Sequence, residues 1–351
     1  MSLDLSGGME PSDDEIMEDL LDTTVAREGV SAWMWDDDGD WGLPRMGVEA
    51  LRTGGETSHS VMLSLAFADG RVVSTRADAE PVPVLDQLGR PRVLGAGPLR
   101  FECVEPFVRW RVSFDGPVTL HEVSDEIAEV ARPTDAKSDN APDRAELRLH
   151  LESTMALPPW VQGSMKPEGK FNPGERRFEQ LFRATGTVSL DGVEKPFVGG
   201  GLRIHRIGGE RGQFRDWYGH CWQSSLFPSG RGFGFIHYHP RPDGSAKFRE
   251  GWLCDGGETM PALVEETPWM AGAIPAGEDV SFTLRTAMGR VRIEAETFVS
   301  TFRRTGSAAD ILNPLVLQSG ITRCRWADEE SHGMIERSAF LTVPAGDDTL
   351  S

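Results

Sequence analysis

Cysteine is scarce in this 351-residue chain, and its four cysteines lie far apart. Because no C-x-x-C spacing occurs, the sequence predicts neither a zinc ribbon nor a thioredoxin-like redox site. Free, buried thiols in a reducing compartment fit this usage best. The chain also lacks an apolar run near the roughly 18 residues of a membrane span, and its first residues lack the pattern of a signal peptide. We therefore expect a cytoplasmic protein without membrane insertion.

Motifs for nucleotide binding and for serine hydrolysis are missing as well. No G-x-G-x-x-G follows a strand pattern, and neither a P-loop nor a G-x-S-x-G elbow occurs. These absences argue against a nucleotide-binding α/β domain and against a hydrolase triad. Acidic residues outnumber basic ones, and the formal net charge of −19 would repel nucleic acids and anionic membrane surfaces. The charge excludes those partners without identifying a substrate.

The pattern of β-strands is abundant. Apolar residues alternate with polar ones from Leu99 and again from Val108 to Phe114, as in a strand with one buried face. Asp-Gly pairs at 69–70, 115–116 and 191–192 predict hairpin turns. The 39 glycines and 23 prolines suit many short strands joined by tight turns. The predicted fold class is all-β, an antiparallel sandwich or barrel.

The length suits two domains of roughly 150 residues each. Residues 1–22 form an acidic segment, in which 13–21 predict a short helix and the rest a mobile tail. A proline-rich, irregular stretch at 158–176 places the boundary near residue 165, which gives domains 23–165 and 166–351. The acidic stretch 122–146 breaks the strand pattern and is interpreted as a surface excursion or part of the connection.

Residues 199–227 concentrate side chains that can carry chemistry. Three glycines precede a set of basic, acidic and aromatic residues that includes Asp216, Trp217 and His220. Burial of Asp216 among aromatic rings would raise its pKa and make it a general acid, unless Arg215 lowers that pKa again. The alternative is a structural contact that holds a barrel corner. Ten tryptophans against two tyrosines allow either an aromatic ligand pocket or plain core packing.

Two places outside that stretch are also candidates. His237 and His239 share one strand face at a spacing found in metal sites, but the sequence shows no third ligand, so we predict no metal. Glu336, near the C-terminus, is either catalytic or paired with a nearby arginine. In a closed antiparallel barrel the last strand returns beside the first. We therefore expect Glu336 to join the 199–227 residues in one cavity.

Three stretches resemble the carotenoid 1,2-hydratase (hydroxyneurosporene synthase) superfamily, in a bacterial branch of it. They are CVEPFVRWRVSFDG at 103–116, RFEQLFRATGTVSLDG at 177–192, and residues 199–222 together with HGMIERS at 332–338. The resemblance implies two tandem lipocalin-like β-barrels, an apolar substrate, acid–base or shape catalysis and no redox cofactor. Residues 203–208 resemble the superfamily's R-D-H-S-W-G run, but Ile204 replaces its acid and Ile207 its tryptophan.

Two functional hypotheses follow. The first is a cofactor-independent lyase, hydratase or isomerase that acts by acid–base catalysis on an aromatic or isoprenoid-like molecule, with tryptophan faces that stabilise a cation. The second is a protein that only binds a lipid or another apolar molecule. A homodimer is compatible with both. The catalytic candidates are Asp216, His205, His220 and Glu336. The substrate-binding candidates are Arg203, Arg215, Trp217, Tyr218, Trp222, His237 and His239.

Overall fold

The computed structural model describes residues 3–20, 25–131, 143–163, 176–208, 218–239, 248–305 and 315–341. About two thirds of these residues lie in β-strands and few are helical, which confirms the all-β fold class. The described residues also contain one α-helix, α1 (Val123–Ala131), and one 3₁₀ turn (Pro11–Asp13). Neither of these two is long and apolar enough to cross a membrane.

The strands follow one another in two groups. The first group is β1 (Val25–Asp36), β2 (Trp41–Thr53), β3 (Glu56–Phe67), β4 (Arg71–Asp78), β5 (Val93–Ala96), β6 (Leu99–Glu105), β7 (Arg109–Glu122), β8 (Asp143–Met155), β9 (Trp160–Val161), β10 (Arg176–Leu190) and β11 (Val193–Gly208). The second group is β12 (Gly219–Leu226), β13 (Gly232–Tyr238), β14 (Arg249–Asp255), β15 (Glu258–Val264), β16 (Phe282–Thr286), β17 (Gly289–Thr305), β18 (Leu315–Trp326) and β19 (Glu329–Phe340).

The first group forms one antiparallel sheet that curls into a ring, here called the first barrel. Its order is β4-β3-β2-β1-β11-β10-β8-β7, and β4 also pairs with β7, so these eight strands close. Strands β6 and β5 continue from β7, and the short β9 pairs with β10. Buried apolar side chains such as Val30, Phe101 and Leu149 fill the interior, because alternate residues of each strand point inward.

The second group forms a closed barrel, here called the second barrel, in which β12 to β19 pair in sequence order and β19 returns to β12. Its interior is aromatic. The Phe282 ring lies 5.1 Å from the Phe233 ring and 4.7 Å from the Phe235 ring, in tilted geometries that aromatic pairs prefer. The two-barrel arrangement agrees with the lipocalin-like fold expected from the sequence.

The chain passes from the first barrel to the second between Gly208 and Gly219. The boundary expected near residue 165 does not match this change of sheet. Strands β10 and β11 pair with β8 and β1, so the irregular stretch 158–176 connects two neighbours within one sheet. Prolines and glycines interrupt a strand pattern wherever the chain leaves a sheet, and they do not reveal which sheet it enters next.

One expected turn is also wrong. Asp115 and Gly116 lie inside β7, where they pair with Arg148 and Leu147 of β8. The Arg148 Nε donates a hydrogen bond of 3.3 Å to the Asp115 carboxylate. A Cβ at Gly116 would lie only 3.0 Å from the Pro98 side chain. This glycine therefore allows a close approach within the sheet, whereas the turns at 69–70 and 191–192 are present.

The stretch 122–146 includes a contact between the barrels. Helix α1 packs against β17 of the second barrel, where the Glu126 carboxylate accepts a 2.8 Å hydrogen bond from the Phe302 backbone N–H. The Arg304 side chain donates to the Val130 carbonyl oxygen at 3.3 Å. Helix α1 of this stretch therefore packs against the second barrel and is not a free surface excursion.

The acidic segment 3–20 packs into the first barrel and is neither a helix over 13–21 nor a mobile tail. Beyond the turn at Pro11–Asp13 its described residues are not helical. Ile16 is buried, and the Asp14 side chain is completely buried among donors from the barrel. One of them is Arg203, whose Nη1 lies 2.7 Å from Asp14 Oδ1. A buried arginine requires a counter-charge, which local sequence patterns do not reveal.

We predict that Asp14→Asn lowers the free energy of unfolding by about 3–5 kcal/mol at neutral pH, because Arg203 loses its counter-charge. Burial alone would raise the pKa of Asp14, but Arg203 and His205 hold it below the ordinary value. The effect should therefore be complete above the ordinary aspartate pKa and disappear as the pH falls through the lowered one. Urea denaturation measures it, with Asp19→Asn as an exposed control from the same segment. Equal midpoints for Asp14→Asn and wild type would contradict the prediction.

Candidate functional site

Strand β11 directs Arg203 and His205 into the first barrel. The His205 Nε2 lies 2.9 Å from Glu28 Oε1, and its Nδ1 lies 3.8 Å from Asp14 Oδ1. Burial alone would lower the pKa of His205, but the neighbouring carboxylates of Asp14 and Glu28 raise it. His205 is thus held inside the first barrel, whereas the candidates His220 and Glu336 are on strands of the second barrel.

The outer faces of the two barrels pack together through an apolar, aromatic layer. Trp33 of β1 meets Trp222 of β12 edge to face, with ring centroids 4.7 Å apart. Ile204, which replaces the superfamily's acid, lies in the same apolar layer. Several charged side chains are buried in or beside this layer. We call the contact region the seam and define it by Trp33, Arg45, Arg177, Glu179, His220, Trp222, Trp252 and Glu336.

Glu336 is the negatively charged group of the seam. Its Oε2 lies 3.2 Å from Arg45 Nη1, and its Oε1 lies 3.3 Å from His220 Nε2. The Ser319 hydroxyl donates a 3.4 Å hydrogen bond to Oε2. Burial alone would raise the pKa of Glu336, but Arg45 and the His220 hydrogen bond lower it to about 2. Glu336 is therefore a carboxylate at neutral pH.

The structure brings His220 and Glu336 together because β12 and β19 are neighbours that close the second barrel. The other ring nitrogen of His220, Nδ1, lies 2.7 Å from the Ser338 hydroxyl. Tyr238 stacks on the imidazole with ring centroids 5.8 Å apart. His220 is thus fixed in orientation on three sides, with one nitrogen toward Glu336.

Glu179 is a second buried carboxyl group of the seam, and its surroundings favour the protonated form. Burial raises its pKa and the neighbouring Glu250 raises it further, against the opposing charge of Arg177. The Trp252 indole N–H lies 3.4 Å from Glu179 Oε1. Glu250 is held in place by hydrogen bonds of 2.8 Å from the Trp160 indole and from the Gly163 backbone N–H. A buried carboxyl group with a raised pKa is suited to act as a general acid.

Trp222 neighbours both of these carboxyl groups. In the strand register it stands directly opposite Glu336, so both side chains project from the same face of the second barrel. The guanidinium of Arg177 lies 4.9 Å from the centroid of the Trp222 ring. The Trp222 indole also faces the Glu179 carboxyl group. The seam therefore places two buried carboxyl groups with oppositely shifted pKa values next to one aromatic ring.

The remaining candidates are not among the residues that define the seam. Arg215, Asp216 and Trp217 are outside the described residues, so their roles stay predictions. Tyr218 is exposed. His237 and His239 both contact Trp269, and burial together with Arg249 and His239 lowers the pKa of His237 to about 4. Within the ranges that the structure describes, no group of three His, Cys, Asp or Glu side chains is arranged to hold a metal ion.

The described candidates therefore do not form the single cavity that we expected. Arg203 and His205 belong to the interior of the first barrel, whereas His220, Trp222 and Glu336 belong to the seam. A surface groove of about 780 Å³ lies on the outer face of β17 to β19, with His332 and Arg323 among its lining residues. It includes none of the seam residues, so we assign the candidate chemistry to the seam.

Sequence reasoning missed Arg45, Arg177 and Glu179. One signal for the latter two was present in RFEQLF at 177–182. Alternate residues of a strand share a face, so Arg177, Glu179 and Leu181 lie on one face of this strand. The other face carries Phe178, Gln180 and Phe182. Two charges on one face of a strand in which both faces prove to be buried indicate a polar site. The pattern alone gave no reason to expect that the outer face is covered.

A family model described as Domain of unknown function (DUF7064) matches residues 12–340. A Nitrosomonas europaea structure described as AttH is similar with a TM-score of 0.60 and 14% identity, over 95% of this chain and 97% of that one. CghA is similar with a TM-score of 0.52 and 10% identity, over 92% and 90% of the two chains. CghA with Sch210972 gives a TM-score of 0.52 and 12% identity over the same shares. No curated protein matches the chain.

At these identities the structural likeness shows the fold. The two-barrel fold that the resemblance implied is shared with these structures along nearly the whole chain.

We predict that Glu336→Gln makes the protein less stable above the ordinary glutamate pKa. A carboxyl group whose folded pKa is lowered to about 2 contributes stability that is lost as the pH falls through that value. The expected difference in the free energy of unfolding at pH 6 is on the order of 3 kcal/mol, decreasing toward pH 2. Urea denaturation across this pH range measures it, with Glu330→Gln as an exposed control on the same strand. Parallel pH–stability curves for Glu336→Gln and wild type would refute the prediction.

Proposed function

The chain belongs to the family described as Domain of unknown function (DUF7064), and we propose that it is an enzyme that uses the seam for acid–base chemistry on an apolar small molecule. One observation carries the proposal. Glu179 has a raised pKa and Glu336 a lowered one, and Trp222 neighbours both. Two carboxyl groups whose pKa values are pushed apart in one site are the usual arrangement for a general acid and a general base.

The proposed reaction class is that of a lyase or isomerase. In a hydration, the Glu179 carboxyl group donates its proton to an unsaturated carbon of the substrate and leaves a carbocation beside Trp222. A water molecule adds to the cation, and the proton that it loses passes to Glu336 or to the hydrogen-bonded His220. In an isomerisation, a neighbouring C–H bond supplies that proton instead. Both sequences transfer only protons and water, so the proposal requires no redox cofactor.

The aromatic side chains of the seam fit a cationic intermediate. Tryptophan faces attract cations, and the Trp222 ring already lies below the Arg177 guanidinium. Arg45 similarly lies 5.3 Å from the centroid of the Trp33 ring. An apolar substrate that separates the two tryptophans would place its developing charge between ring faces. The fold is shared with CghA, which has been crystallised with Sch210972, and this supports a small-molecule site here as well.

We predict that Glu179→Gln reduces turnover by about 10²–10⁴-fold while leaving binding of the substrate nearly unchanged, because the amide keeps the shape but has no acidic proton. The measurement is a screen of isoprenoid and aromatic alkenes in H₂¹⁸O, read by mass spectrometry for added water or for isomers. Glu194→Gln, an exposed glutamate of the first barrel, is the matched control.

The same screen separates the enzyme from a binding protein. An enzyme converts a bound compound, and both Glu179→Gln and Glu336→Gln abolish the conversion. A protein that only sequesters an apolar molecule would retain that molecule unchanged through purification, as native mass spectrometry would show. Full turnover in Glu179→Gln would exclude Glu179 as the acid.

A further inference from the structure

Inside the first barrel, a set of donors converges on one carboxylate. Asp14 Oδ2 accepts a 2.6 Å hydrogen bond from the Phe107 backbone N–H and a 2.9 Å hydrogen bond from the Trp110 indole. Asp14 Oδ1 accepts from Arg203 Nη1 at 2.7 Å, and His205 Nδ1 lies 3.8 Å away. We call these four donor residues the cradle. The carboxylate that they hold comes from the N-terminal segment, which is not a strand of the barrel.

The strands and turns of the barrel shape the cradle. Phe107 has a φ of 58°, a left-handed conformation that non-glycine residues rarely adopt, and in it the backbone N–H points at the carboxylate. Arg203 is oriented by Gln180, whose Oε1 accepts from Nη2 at 3.0 Å. The Arg203 guanidinium also lies 4.3 Å from the Trp110 ring centroid. Backbone strain and a pre-oriented arginine are typical of a binding site.

Asp14 does not use all the donors that the cradle offers. Among the described residues, neither Arg203 Nε nor His205 Nδ1 has a hydrogen-bond partner, although the two side chains are only 2% and 1% exposed. Buried polar groups in folded proteins are nearly always satisfied, so an unused Arg203 N–H and an unbonded His205 ring nitrogen beside one carboxylate are unexpected. A freely positioned carboxylate can accept about four hydrogen bonds and can bind an arginine in a bidentate manner, whereas Asp14 is tethered to its segment.

We propose that the cradle is a binding site for a small carboxylic acid with an apolar body, and that this acid exchanges with the N-terminal segment. Release of Asp14 alone would leave a buried, uncompensated Arg203, whereas replacement by the carboxylate of a ligand preserves the ion pair. The apolar body would take the place of Ile16, which is buried against the barrel core. The segment would also release the 2.9 Å pair between Glu15 and Arg92, which is partly exposed and contributes little, and the 3.0 Å hydrogen bond from Gln180 Nε2 to the Leu5 carbonyl oxygen.

The test uses octanoate as the carboxylate probe and 1-octanol as its uncharged control, with binding measured by isothermal titration calorimetry. Asp14 competes with the probe, so Asp14→Ala should bind octanoate at least about tenfold more tightly than the wild type. Arg203→Met should not bind it, and octanol should not distinguish the variants. If Asp14→Ala fails to fold, Asp14→Asn serves, because the amide keeps the shape but loses the charge.

Hydrogen exchange provides the second readout on the wild type. Octanoate should accelerate exchange at the amides of Ile16 and Met17, which are bonded to the Pro91 carbonyl and to Glu28. Glu336→Gln should bind octanoate like the wild type, which separates this site from the seam. Equal affinities of wild type and Asp14→Ala, binding by Arg203→Met, no binding by any variant, or unchanged exchange would each overturn the proposal.

Discussion

The contact between the outer faces of the two barrels is the interaction on which the rest of the chemistry depends. Burying Trp33 against Trp222 removes water from both faces. Charged groups that would be ordinary on a barrel surface thereby become a coupled set in a region of low dielectric. Burial raises the pKa of both carboxyl groups. Arg45 and His220 reverse that shift at Glu336, whereas Arg177 does not outweigh burial and Glu250 at Glu179. The barrels therefore create the site by packing together.

The interior of the first barrel also contains buried charges that require compensation. Arg203 and His205 occupy positions where most residues are apolar, and the acidic N-terminal segment supplies the compensating charge. The acidity of the first twenty residues, which by composition alone indicates a solvated tail, thus has a specific structural role at Asp14. Buried charges whose partners are distant in the sequence therefore occur in two places. They lie in the interior of the first barrel and in the seam between the outer faces of the two barrels.

The fold was predictable from sequence because strand alternation and turn dipeptides are local signals. The boundary between the barrels was not, since the pairing of β10 with β8 depends on contacts between distant strands. The association of His220 with Glu336 was predictable from barrel closure, because the last strand must meet the first. Glu179 was missed because its significance comes from a neighbouring barrel that covers an outward-facing strand surface. Asp14 was missed for the same reason, as its partners are about 90 to 190 residues away.

The most direct test of this account is a pH titration of the glutamate carboxyl carbons by ¹³C NMR, with Glu179→Gln and Glu336→Gln used to assign the two signals. The account predicts that the Glu179 signal titrates above the ordinary glutamate range near 4.3, and that the Glu336 signal titrates well below it. The two groups would then hold opposite protonation states over the interval between their pKa values. Titration of both signals together near the ordinary value would contradict the assignment of an acid and a base to the seam.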